Sequence, residues 1–380
     1  AIEYTDVQKD TTKSKLAGKT IVCFGDSITG NQPYPYSYPD IVADMTGATV
    51  YNVGFGGCCM SDNGQERRLF TMCRLADAIA AGDFSAQENS GVSITYKQGN
   101  ANINYVPLRI ATLESIDWTK VEQKANDATR NASAACLTAL AEQVPNMICA
   151  SADLSNSDKT DGFLKKTKAM TKDDFSGAFF QAGVAELTMA CICIGMALHG
   201  GVIAGCGTFF VFSDYMKPAI RMAALMRLPV KFIWSHDAFR VGEDGPTHQP
   251  VEHLVGLRSI PNIKVYRPAD GKETTAAWIS ALTGKNPSCL FLSRQNLPRL
   301  QNSGEKAFKG GYILADSTKK TPDVILIATG SEVNLAVKAK AELKAEGVDV
   351  RVVSMPCVEE FEKQSDKYKE SVLPKAVRAR

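Results

Sequence analysis

The stretch "IVCFGDSITG", residues 21–30, ends an apolar run in Gly25-Asp26-Ser27 and continues in small residues. That pattern suits a strand feeding a tight turn. Ser27 stands there as a nucleophile would, provided a base and convergent N–H donors meet it. A second set lies far downstream. His236 precedes "GEDGPTHQ" and His248 lies within it, and histidines on glycine-bearing loops are better placed for proton transfer or ligand contact than for core packing. Glu186 opens "ELTMACICIG"; read by itself, it is a carboxylate favoured by a helix N-terminus. Phe209, Phe212 and Tyr215 recur every third residue, the spacing of an ordinary core stripe. Arg130 and Arg294 carry planar donors that suit phosphate or carboxylate, although either alone reads as a surface ion pair. His199 and His253 read as structural.

The elements that must position these groups are sought in 380 residues, of which 44% are hydrophobic and 22% charged. That bounds a globular chain of two or three domains with a sizeable core. The net charge of +2 is unevenly spread: residues 1–118 carry 9 Lys/Arg against 13 Asp/Glu, and the remainder 34 against 28. The second part therefore favours a small anionic substrate, and no Lys/Arg run is dense enough for nucleic acid. Eleven scattered cysteines, odd in number and without a metal-type CxxC pair, read as reduced thiols of a cytoplasmic protein. The polar N-terminus lacks the apolar core of a signal peptide. No apolar stretch is long enough to span a membrane; "MACICIGMALHGGVIAGC" comes nearest and reads as a buried helix running into a strand.

Strands are expected at 19–24 and 48–53, helices around 37–46 and 66–82, and strands or loop over 92–106. From about 128 the pattern alternates regularly. Helices are expected at 130–142, 185–198, 213–226, 250–258 and 271–283, and strands at 147–152, 201–206, 229–235, 262–267 and 288–293. A polar loop is expected over 154–174. The alternation predicts an α/β domain with a mostly parallel sheet and its ligand beyond the carboxyl ends of the strands. "DVILIATG", a helix opened by Ser331, and "VDVRVVSMP" predict one further βαβ unit.

Residues 128–380 resemble transketolase over its pyrimidine-binding domain and the first half of its C-terminal domain. The likeness is carried by "TRNASAACLTALAEQVP", "SADLSNSDKT", "GVAELTMA", "MALHGG", "RMAALMRLPVKFIWSHD", "VGEDGPTHQPVEHL", "LSRQNLP" and "IATGSEV", in the family's order and spacing. The resemblance implies transfer of a two-carbon ketol unit between ketose and aldose phosphates by thiamine diphosphate. It implies catalytic roles for Glu186, His236 and His248, with Glu186 bonded to the cofactor's aminopyrimidine. Phe209, Phe212 and Tyr215 would form the pocket for that ring, and Asp153 would be a further cofactor contact. Arg130, Ser157, His236, Asp244, His248 and Arg294 would bind the sugar phosphate. The family's magnesium-holding diphosphate domain normally precedes this region. Asp26 and Asn52 mimic its ligand spacing only loosely, so magnesium is implied without a metal ligand assigned in this chain. A homodimer, or a partner supplying that domain, is implied.

Residues 19–118 resemble the front of an SGNH-type (GDSL-like) hydrolase. "FGDSIT" bears the nucleophile block and "YNVGFGG" an oxyanion-hole glycine, Gly57. The family's GxND and DxxH motifs are missing, and residues 1–198 contain no histidine. The chain thus reads as a partial SGNH-like α/β segment (1–120), a transketolase-type pyrimidine-binding α/β domain with a parallel sheet (121–308) and a truncated C-terminal domain (309–380). The expected function is transketolase-like transfer, incomplete in this chain alone. The alternatives are a serine esterase acting through Ser27 and a chimeric chain without activity.

Overall fold

A computed structural model describes residues 116–172, 174–239 and 241–380, together with the backbone of five earlier strands. The chain divides into two compact units, Ala1–Leu108 and Arg109–Arg380.

In the first unit, β1 (Thr20–Cys23) pairs in parallel with β2 (Thr49–Asn52). Separately, β3 (Phe84–Gln87), β4 (Ser93–Gln98) and β5 (Ala101–Tyr105) form an antiparallel sheet. The strands expected at 19–24 and 48–53 are therefore present, and 92–106 is strand for most of its length. Ser27, Gly57, Asp26 and the two helices expected at 37–46 and 66–82 lie outside the described residues.

The second unit is built on a six-stranded sheet. Apart from a short antiparallel pair, β6 (Asn126–Asp127) with β13 (Leu297–Pro298), which is not part of this sheet, its strands are β7 (Met147–Ser151), β8 (Phe179–Gln181), β9 (Ile203–Phe209), β10 (Lys231–Ser235), β11 (Lys264–Tyr266) and β12 (Ser288–Leu292). They lie in the order β11-β12-β10-β9-β7-β8, and every neighbouring pair is parallel. A parallel sheet needs cover on both faces, so its strands read as continuous apolar runs. Every residue of β10 and β12 is buried.

On one face, helices Glu186–His199 and Ser213–Leu225 close a core around Met189, Met216, Ile220, Phe210, Trp234 and Phe291. On the other, helices Thr129–Gln143 and Gly271–Thr283 close a second core around Leu137, Leu140, Phe163, Trp278 and Leu290. Between helix Glu186–His199 and β9 the chain reverses at Gly200 and Gly201, with φ of 81° and 78°. Those left-handed values favour glycine, and they explain why the "MALHGG" stretch breaks into helix and strand.

A smaller sheet follows, in the order β14-β16-β15. Its strands are β14 (Tyr312–Ala315), β15 (Val324–Ala328) and β16 (Val350–Ser354). β15 and β16 are parallel and joined by helix Glu332–Ala345, which is the βαβ unit expected from the sequence; β14 adds an antiparallel edge that was not anticipated.

Three local expectations are corrected. The polar loop over 154–174 contains two helical turns, Ser155–Asp158 and Asp161–Leu164, because the buried Asp158 carboxylate organises the chain there. The helix expected at 250–258 begins only at His253. Ser331 does not cap its helix; its hydroxyl donates to Glu332 Oε1 at 2.6 Å instead.

The small sheet is tied to the large one through buried polar groups. Glu273, fully buried in the first turn of its helix, accepts from Tyr312 Oη (2.7 Å), Ser354 Oγ (2.6 Å) and the Ala269 amide (2.7 Å). Burial of this carboxyl raises it to about 7.

Candidate functional site

The carboxyl ends of β7, β9, β10 and β12 face one edge of the sheet, where α/β sheets hold ligands. Asp153 lies two residues beyond β7, Phe209 ends β9, His236 follows β10 directly and Arg294 lies two beyond β12. Asp153 and His236 are non-glycine residues in the left-handed region, at φ of 63° and 60°. Such conformers cost on the order of 1 kcal/mol and persist only where the surroundings enforce them.

The three aromatics do not form a core stripe of one helix. Phe209 belongs to a strand, Phe212 to a 3-10 turn and Tyr215 to a helix. Their rings step outward as a ladder, Phe209 stacked on Phe212 at 5.9 Å and Phe212 on Tyr215 at 6.1 Å. The ladder leads from a buried Phe209 to a Tyr215 that is 63% exposed. Both histidines meet it. His236 packs 3.8 Å from Phe209, and His248 presents its edge to Phe212 at 5.3 Å.

His236 is buried, with Nδ1 2.9 Å from Ser235 Oγ and Nε2 3.8 Å from Asp244 Oδ2. Desolvation, with the positive fields of Arg130, Arg294 and His248, holds its ring down to about 3. The imidazole is therefore neutral at physiological pH and can donate or accept a hydrogen bond. His248 is anchored by Thr247 Oγ1 at 2.8 Å from Nδ1.

Arg130 donates from Nη1 to the Ser157 carbonyl at 2.9 Å and to Ser157 Oγ at 3.4 Å. Burial, then the neighbouring Arg294, lowers its guanidinium below the ordinary value. Two close guanidinium groups disfavour each other and favour an anion between them. Arg294 reaches Glu243 Oε1 at 3.1 Å and lies 3.8 Å from Asp244 Oδ2. That same Asp244 oxygen is buried without a hydrogen-bond partner. Gly242, at φ 84°, leaves room for Arg294: a Cβ there would stand 3.0 Å from Nη1.

Glu186 is the first residue of its helix and 7% exposed. Its seat combines the helix-dipole placement read from sequence with burial, the setting a carboxyl needs to bond a ring nitrogen. The structure thus gathers the aromatic ladder, both histidines, both arginines, Ser157 and Asp244. Glu186 heads the helix packed on the same face as Phe210 and Met216.

Sequence reasoning missed the groups that hold this arrangement. Thr129 and Ser293, each beside an arginine, bond reciprocally: Ser293 N donates to Thr129 Oγ1 at 2.7 Å, and Thr129 N to Ser293 Oγ at 3.0 Å. Asp158 accepts from Ser151 Oγ (2.7 Å), Thr160 N (2.8 Å) and Thr160 Oγ1 (2.7 Å). It thereby fixes the loop that carries Asp153 and Ser157. Gly207 of β9 makes this possible, since a Cβ there would lie 2.4 Å from Thr160 Cγ2. The remaining histidines fit the structural reading. His253 bonds Asp214 at 3.0 Å and packs on Phe210, and His199 lies at a helix end.

The family model "Transketolase, pyrimidine binding domain" matches residues 126–299, and "Transketolase-like TK C-terminal domain" matches 310–380. From Asn126 onward the chain belongs to the transketolase family. It is 49% identical over 273 residues to the transketolase of Bacillus subtilis, covering 70% of this chain and 41% of that protein. In structure it is similar to the transketolase of Leishmania mexicana, with a TM-score of 0.66 and 39% identity over 68% of this chain and 39% of that one. It also resembles a chain described as "Split gene transketolase, inactive beta4 tetramer", with a TM-score of 0.51 and 30% identity, over 60% of this chain and 71% of that one. The chain thus spans about two fifths of the length of the full transketolases it matches. Among the described residues no helix is long and apolar enough to cross a membrane.

The transketolase family implies thiamine diphosphate and a divalent metal. The residues here fit the pyrimidine end of that cofactor: a buried carboxyl group at a helix start, a ladder of ring faces and the neutral His236 imidazole beside it. Among the described residues no group of side chains stands free to hold magnesium. The one cluster of three potential ligands among the described residues, Asp214, Glu252 and His253, already has His253 bonded to Asp214.

Proposed function

We propose that this chain carries the pyrimidine and sugar-phosphate side of a ketol-transfer site, moving a two-carbon unit between ketose and aldose phosphates. The observation that carries the reading is that His236 and His248 pack against Phe209 and Phe212 while Arg130 and Arg294 stand close enough to depress the His236 ring, within a segment 49% identical to a transketolase. Bound thiamine diphosphate supplies the nucleophilic carbon that accepts the ketol unit.

The chain's own residues do the rest. Glu186 holds the aminopyrimidine by a hydrogen bond that helps that ring take up a proton. Phe209, Phe212 and Tyr215 seat the ring by stacking, and Asp153 stands at the same strand edge as a further cofactor contact. Arg130 and Arg294 grip the substrate phosphate, with Ser157 orienting Arg130. Asp244 reads a sugar hydroxyl, its buried unpaired oxygen waiting for a donor. His236, neutral, bonds the reacting end of the donor sugar, and His248 assists proton transfer there.

The working unit we propose is a dimer, or an assembly with a partner that supplies the diphosphate-binding domain and its magnesium ligands. The similarity to a split-gene transketolase chain supports the second form. In domain terms, residues 121–308 form the pyrimidine-binding domain and 309–380 part of the C-terminal domain, with 1–120 as an SGNH-like segment. The described cysteines are free thiols, nearly all buried, which supports a reducing cytoplasmic setting.

The test is ketol transfer from a ketose phosphate to an aldose phosphate, with thiamine diphosphate and magnesium, alone and with a separately expressed diphosphate-binding domain. Activity that appears on reconstitution and is lost in Glu186→Ala supports the reading. A folded chain that gains no activity with the added domain overturns it. Labelling by a fluorophosphonate probe, lost in Ser27→Ala, would instead assign serine-hydrolase chemistry to the first unit.

A further inference from the structure

His236 needs more support than its own strand provides. Its backbone is left-handed at φ 60°, and only the Ser235 hydroxyl bonds its ring among the described residues. The next residue, Asp237, has a side chain only 2% exposed. Its Oδ2 accepts from Arg267 Nε at 2.8 Å, and its Oδ1 has no partner. Among the described residues, Arg267 is thus the one side chain that bonds the Asp237 carboxyl behind His236.

Arg267 is itself gripped from the small sheet. Nη1 donates to the Thr329 carbonyl at 2.8 Å and pairs with Glu332, and Nη2 reaches Ser331 Oγ at 3.3 Å. Its carbonyl accepts from the Gly330 amide at 3.1 Å and from Thr329 Oγ1 at 3.2 Å. Its own amide donates to the Pro356 carbonyl at 2.8 Å. Gly330, at φ 57°, packs against the Arg267 side chain, where a Cβ would stand 2.8 Å from Cζ. A planar, always-charged fork held at both ends transmits position in a way a lysine could not.

We propose that Arg267 is a positioning residue through which the turn at 329–332 of the C-terminal domain sets the His236 ring against Phe209. The turn fixes the guanidinium, the guanidinium fixes Asp237, and Asp237 fixes the left-handed turn that aims His236. This gives the C-terminal domain a direct part in shaping the site although none of its residues lines it. The inference rests on the reading of His236 as a substrate-contacting residue, but its test reads the imidazole itself, so the two fail separately.

The test is imidazole 1H–15N NMR of the full chain labelled at histidine. There are four histidine rings, and the His236 signals are assigned by their loss in His236→Gln. In the wild type the His236 signal is that of a neutral ring and stays fixed from pH 8 to 5. Glu332→Gln and Gly330→Ala, which change only the turn, are expected to shift it by more than a linewidth. Arg267→Lys is expected to shift it further and to bring the ring's titration midpoint up by at least one pH unit. The signals of His199 and His253 stay in place. A His236 signal unchanged in the folded turn variants overturns the proposal, whatever their melting temperatures. Should Arg267→Lys fail to fold, the two turn variants decide alone.

Discussion

Asp158 is the group on which the Asp153–Ser157 loop depends, and its removal gives a quantitative test of how the site is held. Its carboxyl is 1% exposed and accepts three hydrogen bonds, from Ser151 Oγ, Thr160 N and Thr160 Oγ1, all between 2.7 and 2.8 Å. Asp158→Ala strips all three donors of their acceptor in a site closed to water. Leaving a buried donor unpaired costs roughly 1–3 kcal/mol. Ser151 Oγ also accepts from the Leu154 amide at 3.2 Å, so its hydroxyl is tethered and cannot turn freely to another partner. Taking the lower part of the range for each donor, the expected loss is about 4 kcal/mol. With a urea slope of about 3 kcal/mol/M for a unit of this size, the midpoint falls by about 1.3 M. The buried Trp234 and Trp278 of the same unit provide the fluorescence signal. Asp158→Asn is the informative control. Burial pushes the Asp158 carboxyl upward, towards a neutral group that an amide imitates. The amide oxygen can still accept from Thr160 and its nitrogen can donate to Ser151 Oγ. The expected loss for Asn is about 1 kcal/mol, one weakened hydrogen bond. An alanine variant whose midpoint falls by less than about 0.3 M, or an asparagine variant as damaged as the alanine one, would refute the reasoning.

Glu273 should make the unit less stable as pH rises. Its folded value of about 7 lies above the ordinary 4.5, so the native state holds the extra proton. The penalty is absent below about pH 4.5 and grows to about 3 kcal/mol above pH 7. Urea midpoints at pH 5 and 8 should show the wild type losing about 2.5 kcal/mol relative to Glu273→Gln. His236 has the opposite sign. Its folded value of about 3 lies below the ordinary 6.5, so the stability it contributes is present above pH 6.5 and lost as pH falls towards 3. His236→Gln should accordingly flatten the acid limb of the same titration. Gly242→Ala places a Cβ 3.0 Å from Arg294 Nη1 on a left-handed backbone. Calorimetry with a sugar phosphate should show about tenfold weaker binding, or about 1.4 kcal/mol, with the large sheet intact by circular dichroism.

Much of the large sheet is legible because parallel strands buried on both faces must be apolar throughout, and the helices between them must carry one apolar side. "KFIWS" and "SCLFL" announce themselves in this way. The helix expected at 271–283 is found with those bounds, since Asp270 caps it through the Glu273 amide at 2.9 Å, a local signal. What could not be read is long-range. Nothing local to "SNSDKT" says that Asp158 turns inward, because its donor Ser151 and the gap left by Gly207 come from two different strands. Thr129 and Ser293 are 164 residues apart, and only the closed sheet makes them partners. The aromatic spacing misled for the same reason. A three-residue repeat implies one helix, whereas the chain passes from strand through a 3-10 turn into a helix and still stacks its rings.

These long-range groups explain how a strained site survives in a marginally stable protein. Asp153 and His236 both hold left-handed backbones beyond the ends of β7 and β10, the two strands that flank β9, together on the order of 2 kcal/mol of strain. Each is followed by a buried aspartate bonded to a partner remote in sequence or in the next turn: Asp158 to Ser151 and Thr160, Asp237 to Arg267. Buried carboxylates are poor general stabilisers, because desolvation offsets much of what their bonds return. Their value lies in permitting one geometry and disfavouring others. A well-packed apolar pair could match either aspartate in stability, yet could not hold Asp153 or His236 in a conformer that the chain would otherwise leave. The two aspartates are therefore best understood as the structural cost of aiming those side chains, and variants that restore stability without restoring the bonds should leave the site misaligned.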